Sequence, residues 1–325
     1  MTKPLVETKD LTKRFHQRKG KDVTILRGID LSIEPGETVC VVGESGCGKT
    51  TLGKVLAGLQ GYSGGRFTFS ENEVKDLTRK DWKEFRRSVQ MIHQNPYESL
   101  NPTKMVFDML AAPLRHHKKI TDFSQLYHET VKLLEMVGLT PVDDFIDKYP
   151  GNLSGGQRQR VSIARILAMD PKFIVVDEAT SMIDTSLRIS LLTMLKEIQQ
   201  RLNVAYLYIT HDLALGRYFA WGHRILVMYL GKIIEIGPTE DVIGHPQHPY
   251  TKAILSAARI DEEKPYELHN IDIPSFTNIG AGCSLFPRCP QAIDGVCDLI
   301  EPPLEHSGTQ RQVACHLYRQ KEQIR

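Results

Sequence analysis

Eight consecutive residues, Gly43-Glu44-Ser45-Gly46-Cys47-Gly48-Lys49-Thr50, restrict this chain more than any other stretch. They fill every fixed position of G-x-x-x-x-G-K-[ST]. The context agrees. Thr38-Val39-Cys40-Val41-Val42 runs into the glycines and reads as a buried strand, and Leu52, Val55, Leu56 and Leu59 recur behind them at helical spacing. Glycines let the backbone curl until successive N–H groups point at phosphate oxygens, and the N-terminus of the following helix adds partial positive charge. In such a loop Lys49 reaches the β- and γ-phosphates of a nucleotide, and Thr50 ligates Mg²⁺.

A second apolar strand, Phe173-Ile174-Val175-Val176, ends in Asp177-Glu178. Acidic residues often follow strands, so the pair says little alone. With the loop at Gly43 it gains a role: Asp177 as the Mg²⁺ carboxylate, direct or through water, and Glu178 to orient or deprotonate the attacking water. Val204 to Ile209 is a third such strand, followed by Thr210-His211-Asp212. Leu191, Leu195, Ile198 and Leu202 mark a helix face, and Arg224–Tyr229 with Ile233–Ile236 flank Gly231 as a hairpin. The stretch from about 104 to 169 is mostly helical. One of its helices opens at Ser154-Gly155-Gly156-Gln157, a capping box. Strands alternating with helices predict an α/β fold with a mainly parallel sheet. Past residue 240, frequent prolines predict an appendage with little regular structure.

At 325 residues the chain has room for two domains, or one large domain with an appendage. Its 41% hydrophobic and 25% charged residues exclude a disordered, collagen-like or disulfide-stapled class. A formal charge of +2 argues against nucleic acid as the main partner. No apolar run is long enough to span a bilayer, and Met1–Glu7 lacks a signal-peptide core, so a cytoplasmic location is expected. The basic residues between Lys13 and Lys21, and Arg115-His116-His117-Lys118-Lys119, read as exposed loops. Cytoplasmic cysteines argue against structural disulfides. Yet Cys283, Cys289, Cys297 and Cys315 crowd the last 43 residues. Their spacing lacks the close pairs of structural zinc sites, and Cys289-Pro290 matches the Cys-Pro step at iron–sulfur ligands. Zinc and unligated or paired thiols stay open on the residues alone.

Leu153-Ser154-Gly155-Gly156-Gln157, upstream of Asp177-Glu178, resembles the signature of the nucleotide-binding subunit of ABC transporters. Other positions match that family. Gln94 resembles its Q-loop glutamine, Ser181-Met182-Ile183-Asp184 its D-loop, and His211 its switch histidine. Phe15 sits where the family stacks an aromatic on adenine, with a core phenylalanine as the competing reading. The resemblance implies ATP held by Phe15, Gly43, Glu44, Ser45, Gly46, Cys47, Gly48, Lys49, Thr50 and Thr51. It implies Mg²⁺ held by Thr50, Gln94 and Asp177, and hydrolysis through Glu178, His211 and Gln94. Ser154, Gly155, Gly156 and Gln157 would close on the ATP of a partner cassette, with the D-loop residue Asp184 beside them. Three positions depart from the pattern: Ala179 replaces a proline, Met182-Ile183 replaces Ala-Leu, and Asn152 replaces a frequent acidic residue.

Gln94 to Pro102 and Pro246-Gln247-His248-Pro249-Tyr250-Thr251 narrow the resemblance to the oligopeptide/dipeptide importer subfamily, from about Leu5 to Tyr318. What that implies is a P-loop ABC ATPase cassette with a parallel-sheet core, an antiparallel β part and a helical subdomain, plus a small cysteine-rich C-terminal extension. The implied boundaries are 1–240 for the cassette, with the helical subdomain at about 95–169, and 241–325 for the extension. The implied function is ATP hydrolysis that energises uptake of di- and oligopeptides, with an oligosaccharide importer of the same subfamily as the alternative. The implied partners are two transmembrane permease subunits, a second ABC ATPase subunit in a hetero- or homodimer and, indirectly, an extracellular substrate-binding protein. The chain would sit peripherally on the cytoplasmic face of the cell membrane. A [4Fe–4S] cluster on Cys283, Cys289, Cys297 and Cys315 is implied too, as a staple for the tail. A soluble ABC ATPase acting on nucleic acid or ribosomes is the reading from another class. The balanced charge disfavours it, and so do the 105 positions from Lys49 to Ser154, too few for a long coiled coil.

Overall fold

The computed structural model describes residues 3–16, 22–93, 100–178, 185–258 and 266–318. Along the chain come β1 (Val6–Phe15), β2 (Val23–Ile33), β3 (Thr38–Val42), α1 (Lys49–Leu56), β4 (Gly64–Phe69) and β5 (Asn72–Glu73). Next are α2 (Arg79–Ser88), β6 (Val89–Ile92), α3 (Val106–His117), α4 (Phe123–Met136), α5 (Gly155–Leu167), β7 (Phe173–Asp177) and α6 (Thr185–Leu202). The remainder holds β8 (Ala205–Ile209), α7 (Leu213–Phe219), β9 (Arg224–Tyr229), β10 (Lys232–Pro238), α8 (Thr239–Gly244), α9 (Pro249–Ala258), β11 (Glu305–His306) and β12 (Gln312–Val313).

Two compact units form. The first gathers the chain up to residue 34, residues 38–75 and everything from 208 on; the second holds 35–37 and 76–207. In the first unit an antiparallel sheet runs β2-β1-β4-β5. Its strands bury Val6, Leu11, Leu26, Ile29 and Ile33 completely. The other sheet of this unit contains β11-β12-β10-β9-β3 in that order. β3 pairs in parallel with β9, Val39 opposite Arg224 and Val42 opposite Val227. Every residue of β3 is buried. That is why its sequence is unbroken apolar instead of alternating. β9 and β10 form the expected hairpin. Its turn at Gly231 is locked in place: Gly231 N–H donates to the Cys47 carbonyl and its carbonyl accepts from Arg27 N–H, both at 2.9 Å. A Cβ at Gly231 would meet the Ile25 carbonyl oxygen at 2.1 Å, so only glycine permits this approach.

In the second unit β7 pairs in parallel with β6, Val89 opposite Phe173. β7 and β8 are wholly buried. The helical stretch forms α3, α4 and α5. Asp122 caps α4 by accepting from Gln125 N–H at 2.8 Å. On α6, Leu191, Leu195 and Ile198 are buried and Leu202 is exposed.

Four expectations need correction. Lys13 and Arg14 lie in β1 and not in a loop. Leu59 does not continue α1: the helix ends at Leu56, Gly58 turns at φ 67°, and Leu59 is exposed. Arg115, His116 and His117 are the last turn of α3, not a loop. Cationic residues are stabilised at such an end by the helix dipole, and Lys118 beyond it pairs with Asp170 at 2.9 Å. Pro249 does not interrupt structure but opens the ten-residue α9, where a missing N–H costs nothing. No helix among the described residues is long and apolar enough to cross a membrane.

Candidate functional site

The phosphate loop lies in the first unit, between β3 and α1. Gly43 has φ 152°, and a Cβ there would stand 2.3 Å from the Met228 carbonyl oxygen on β9. Gly48 has φ 109° and takes the N-cap position of α1, where no side chain caps the helix. The positive end of α1 is therefore presented at the loop. Lys49, buried, bends back across it and donates to the carbonyls of Gly43 and Glu44, each at 2.8 Å. Cys47 is buried within the loop, and burial raises its thiol pKa. Thr50 is exposed and Thr51 half-buried on the first turn of α1.

His211 faces the same space. A cavity of about 490 Å³ is bordered by Gly43, Glu44, Ser45, His211, Asp212 and Tyr250. The residues flanking His211 are fixed. Thr210 Oγ1 accepts from Asp212 N–H at 3.0 Å, and Asp212 Oδ1 caps α7 through Ala214 N–H at 2.9 Å and Leu215 N–H at 3.0 Å. Phe15 ends β1, 36% exposed as a residue, with Lys13 Nζ 5.0 Å from its ring centroid. It is a surface aromatic, not a core one.

Three residues at the loop carry no role in the sequence reading. The Tyr250 hydroxyl accepts from Glu44 N–H at 2.9 Å. Arg288 pairs with the Glu44 carboxylate at 3.2 Å and donates to the Tyr229 hydroxyl at 3.3 Å. Tyr229 and Tyr250 pack with ring centroids 4.8 Å apart. The His-Pro-Tyr residues carried a family likeness but no mechanism, and Arg288 went unnoticed between Pro287 and Cys289. The structure supplies the mechanism. His248 Nδ1 accepts from Tyr250 N–H at 3.1 Å at the start of α9. The imidazole is fully buried, and burial, with the Lys252 charge, holds its pKa down to about 3. It is neutral, as an acceptor must be. Beneath it the buried Glu235 carboxylate accepts from Gln247 N–H and His248 N–H, both at 3.0 Å, and pairs with Arg311. Tyr250 thus stands on a rigid base.

In the second unit Asp177 is buried at the end of β7, and Glu178 follows at φ 46°. The left-handed conformation costs an L-residue about 1–2 kcal/mol. Such strain is characteristic of functional positions. The capping box at α5 is present: Ser154 Oγ accepts from Gln157 N–H at 3.3 Å, and Gln157 Oε1 accepts from Ser154 N–H at 2.9 Å. Among the described residues, apart from the helix's own backbone and chain neighbours, no atom lies within 4 Å of where a Cβ on Gly155 would be, and Gly156 has Leu187 at 3.5 Å. The unit also carries a cavity of about 820 Å³, bordered by Gln90, His93, Lys104, Asp108, His117 and Arg165. Gln94 and the D-loop residues 181–184, Asp184 included, lie outside the described residues.

Cys283, Cys289, Cys297 and Cys315 are free thiols in one neighbourhood. Cys283 N–H donates to the Cys297 carbonyl at 2.7 Å. Burial pushes Cys283 up to about 11 and Cys315 up to about 12, with the neighbouring thiols adding to both. Among the described residues, however, no three His, Cys, Asp or Glu side chains converge enough to hold a metal ion. The donor chemistry of the expected [4Fe–4S] set is there, but its closed ligand geometry is not.

A family model described as ABC transporter matches residues 26–181, and one described as the oligopeptide/dipeptide transporter C-terminal region matches 234–297. The putative oligopeptide transport ATP-binding protein YkfD of Bacillus subtilis is 39% identical over 324 residues, 98% of this chain and 97% of that protein. The di/tripeptide transport ATP-binding protein DppF of Pseudomonas aeruginosa is 37% identical over 320 residues, covering 96% and 97%. Among solved structures, a dimeric post-hydrolysis state of the ATP-binding cassette MJ0796 bound to ADP and Pi is 26% identical with a TM-score of 0.62, covering 70% of this chain and 96% of that one. With its phosphate loop, its capped signature helix and relatives matched almost end to end, the chain belongs to the ABC transporter ATP-binding subunits of the oligopeptide/dipeptide family.

Proposed function

We propose that this chain binds and hydrolyses ATP to energise import of di- and oligopeptides through a membrane pore built from other polypeptides. The observation that carries the reading is the cradle at Lys49. Its ammonium bridges the Gly43 and Glu44 carbonyls at the uncapped N-terminus of α1, poised to exchange those carbonyls for β- and γ-phosphate oxygens. The names of the full-length relatives support peptides as the cargo.

Each residue has a part. N–H groups of the loop from Gly43 to Thr51 take the phosphates, apart from that of Glu44, which Tyr250 holds, and Phe15 stacks on the adenine. Thr50, Gln94 and Asp177 would hold Mg²⁺: their hydroxyl, amide and carboxylate oxygens are hard donors that suit it, and the ion would neutralise phosphate charge. Glu178 accepts a proton from water as the water oxygen bonds to the γ-phosphorus. The bond from that phosphorus to the bridging oxygen breaks, leaving ADP and phosphate. His211 holds the γ-phosphate. Ser154, Gly155, Gly156 and Gln157 bring a second helix N-terminus to the ATP of a partner cassette, so ATP joins two subunits and hydrolysis releases them.

The partners are two permease subunits and a second ATPase, with an extracellular substrate-binding protein acting through the pore. The chain works peripherally at the cytoplasmic face of the membrane, as a cassette over 1–240, with its helical subdomain at about 95–169, and an extension over 241–325. The 820 Å³ groove beside α3 suits a short helix of the pore. A [4Fe–4S] cluster in the extension rests on the shared neighbourhood of four free thiols; no step of hydrolysis passes through it. Iron analysis of anaerobically purified protein tests it: about four irons per chain support it, and zinc or no metal overturns it. For the transport reading, the complex is purified from its native membrane and reconstituted in vesicles. Peptide-stimulated hydrolysis supports it, and stimulation by oligosaccharide alone contradicts it.

A further inference from the structure

All three polar groups of Glu44 are engaged. Its carbonyl accepts from Lys49, its N–H donates to the Tyr250 hydroxyl, and its carboxylate holds Arg288. The first partner belongs to the phosphate loop itself. The other two lie 206 and 244 positions away. We propose that Tyr250 and Arg288 are positioning residues for the phosphate loop: a two-point clamp by which the C-terminal segment sets the geometry in which Lys49 meets ATP. This rests on the reading of Gly43–Thr50 as the ATP site.

The clamp is built, not incidental. Arg288 is largely buried, its side chain 14% exposed, and it engages the Glu44 carboxylate through both terminal nitrogens: one donates to the two oxygens at 3.2 and 3.3 Å, the other to Oε1 at 3.3 Å. Its backbone is held in a tight turn: Arg288 N–H donates to the Leu285 carbonyl and its own carbonyl accepts from His269 N–H, each at 2.8 Å. Tyr250 is fully buried and anchored through His248. Both contacts therefore tie Glu44 to rigid supports and not to mobile side chains. Ile273, Pro274 and Phe276 of the same C-terminal segment border a second cavity, of about 220 Å³, with Ser45, Gly46 and Cys47. The segment thus meets the loop along most of its length. Loosening it releases Glu44, and with Glu44 goes one of the two carbonyls that align Lys49. An interaction that orders the loop before the reaction starts acts on substrate binding more than on turnover.

The test is equilibrium binding of Mg-ATP to the full-length chain, with thermal melting in parallel. Arg288→Ala is expected to weaken binding about three- to tenfold, and Tyr250→Phe by a smaller factor in the same direction. Arg288→Lys, which keeps the charge but not the fork, should recover part of the loss. Glu44→Ala combined with Arg288→Ala should be no weaker than Glu44→Ala alone, because the two act through one contact. In the assembled transporter Arg288→Ala should raise KM for ATP more than it lowers kcat. A lowered melting temperature with unchanged affinity in both Arg288→Ala and Tyr250→Phe would reduce the contacts to fold stability and overturn the clamp. If the unmutated chain fails to bind Mg-ATP at all, the ATP reading falls and the clamp with it. Binding by the unmutated chain with no loss in any variant refutes the clamp alone.

Discussion

Arg288 holds Glu44 at 3.2 Å, joining the cysteine-bearing end of the chain to the second residue of its phosphate loop. The C-terminal segment is therefore part of the nucleotide site's support.

Glu178 at φ 46° combines strain with chemistry. Glu178→Gln should bind ATP but hydrolyse it roughly 10²–10⁴-fold more slowly, since the water loses its proton acceptor. Glu178→Gly should also lose hydrolysis while melting at a higher temperature, relief of the left-handed strain being worth up to about 1 kcal/mol. Single-turnover hydrolysis and thermal melting read the two effects. Near-normal turnover of Glu178→Gln would place the base elsewhere.

Ser154 closes the capping box of α5. Ser154→Ala should cost about 1 kcal/mol in the isolated chain, measured by denaturant unfolding. Ser154→Arg should in addition impair hydrolysis of nucleotide bound mainly by the partner cassette, provided that cassette's own site is intact. Mixing one mutant cassette with one normal cassette separates the two. Undisturbed hydrolysis at the partner's site would contradict a shared site.

His248 makes stability depend on pH. Buried, it titrates at about 3, against about 6.5 in an unfolded chain. Between those values the unfolded state binds more protons, so stability is full above about 6.5. It falls as the pH drops toward 3, by up to about 1.4 kcal/mol per unit. His248→Asn keeps an acceptor for Tyr250 N–H and should flatten that acid limb in unfolding curves taken across the range. An unchanged limb would mean other groups control it.

Arg311 neutralises Glu235, which is completely buried. Arg311→Met should destabilise the chain toward the lower end of about 3–5 kcal/mol, because a buried carboxylate loses the Arg311 counter-ion while keeping two backbone donors. Chemical denaturation measures it. Arg311→Met with Glu235→Leu should restore much of the loss; no recovery would show that the pair's charge is not what matters.

Much of this was legible in the residues. Three unbroken apolar runs, ending at Val42, Val176 and Ile209, named the buried strands because strands covered on both faces have no polar side to show. The glycines at 43 and 48 and the capping box at Ser154 announced themselves through backbone rules that act within a few residues. What was illegible was long-range. Nothing local tells that Tyr250 and Arg288 converge on Glu44, since each is an ordinary residue whose role comes from the tertiary fold. The cysteines were legible only in part: spacing shows that thiols are concentrated, not that their sulfurs converge. Leu59 kept helical spacing past a helix that Gly58 had already ended.

Peptide uptake driven by hydrolysis at this chain's phosphate loop is open to one direct measurement. Reconstituted transporter containing this chain, supplied with ATP inside and labelled di- or tripeptide outside, should accumulate the peptide. The same vesicles carrying Glu178→Gln here, with a partner cassette whose base is likewise replaced, should not. Equal peptide accumulation with both bases replaced would contradict the account.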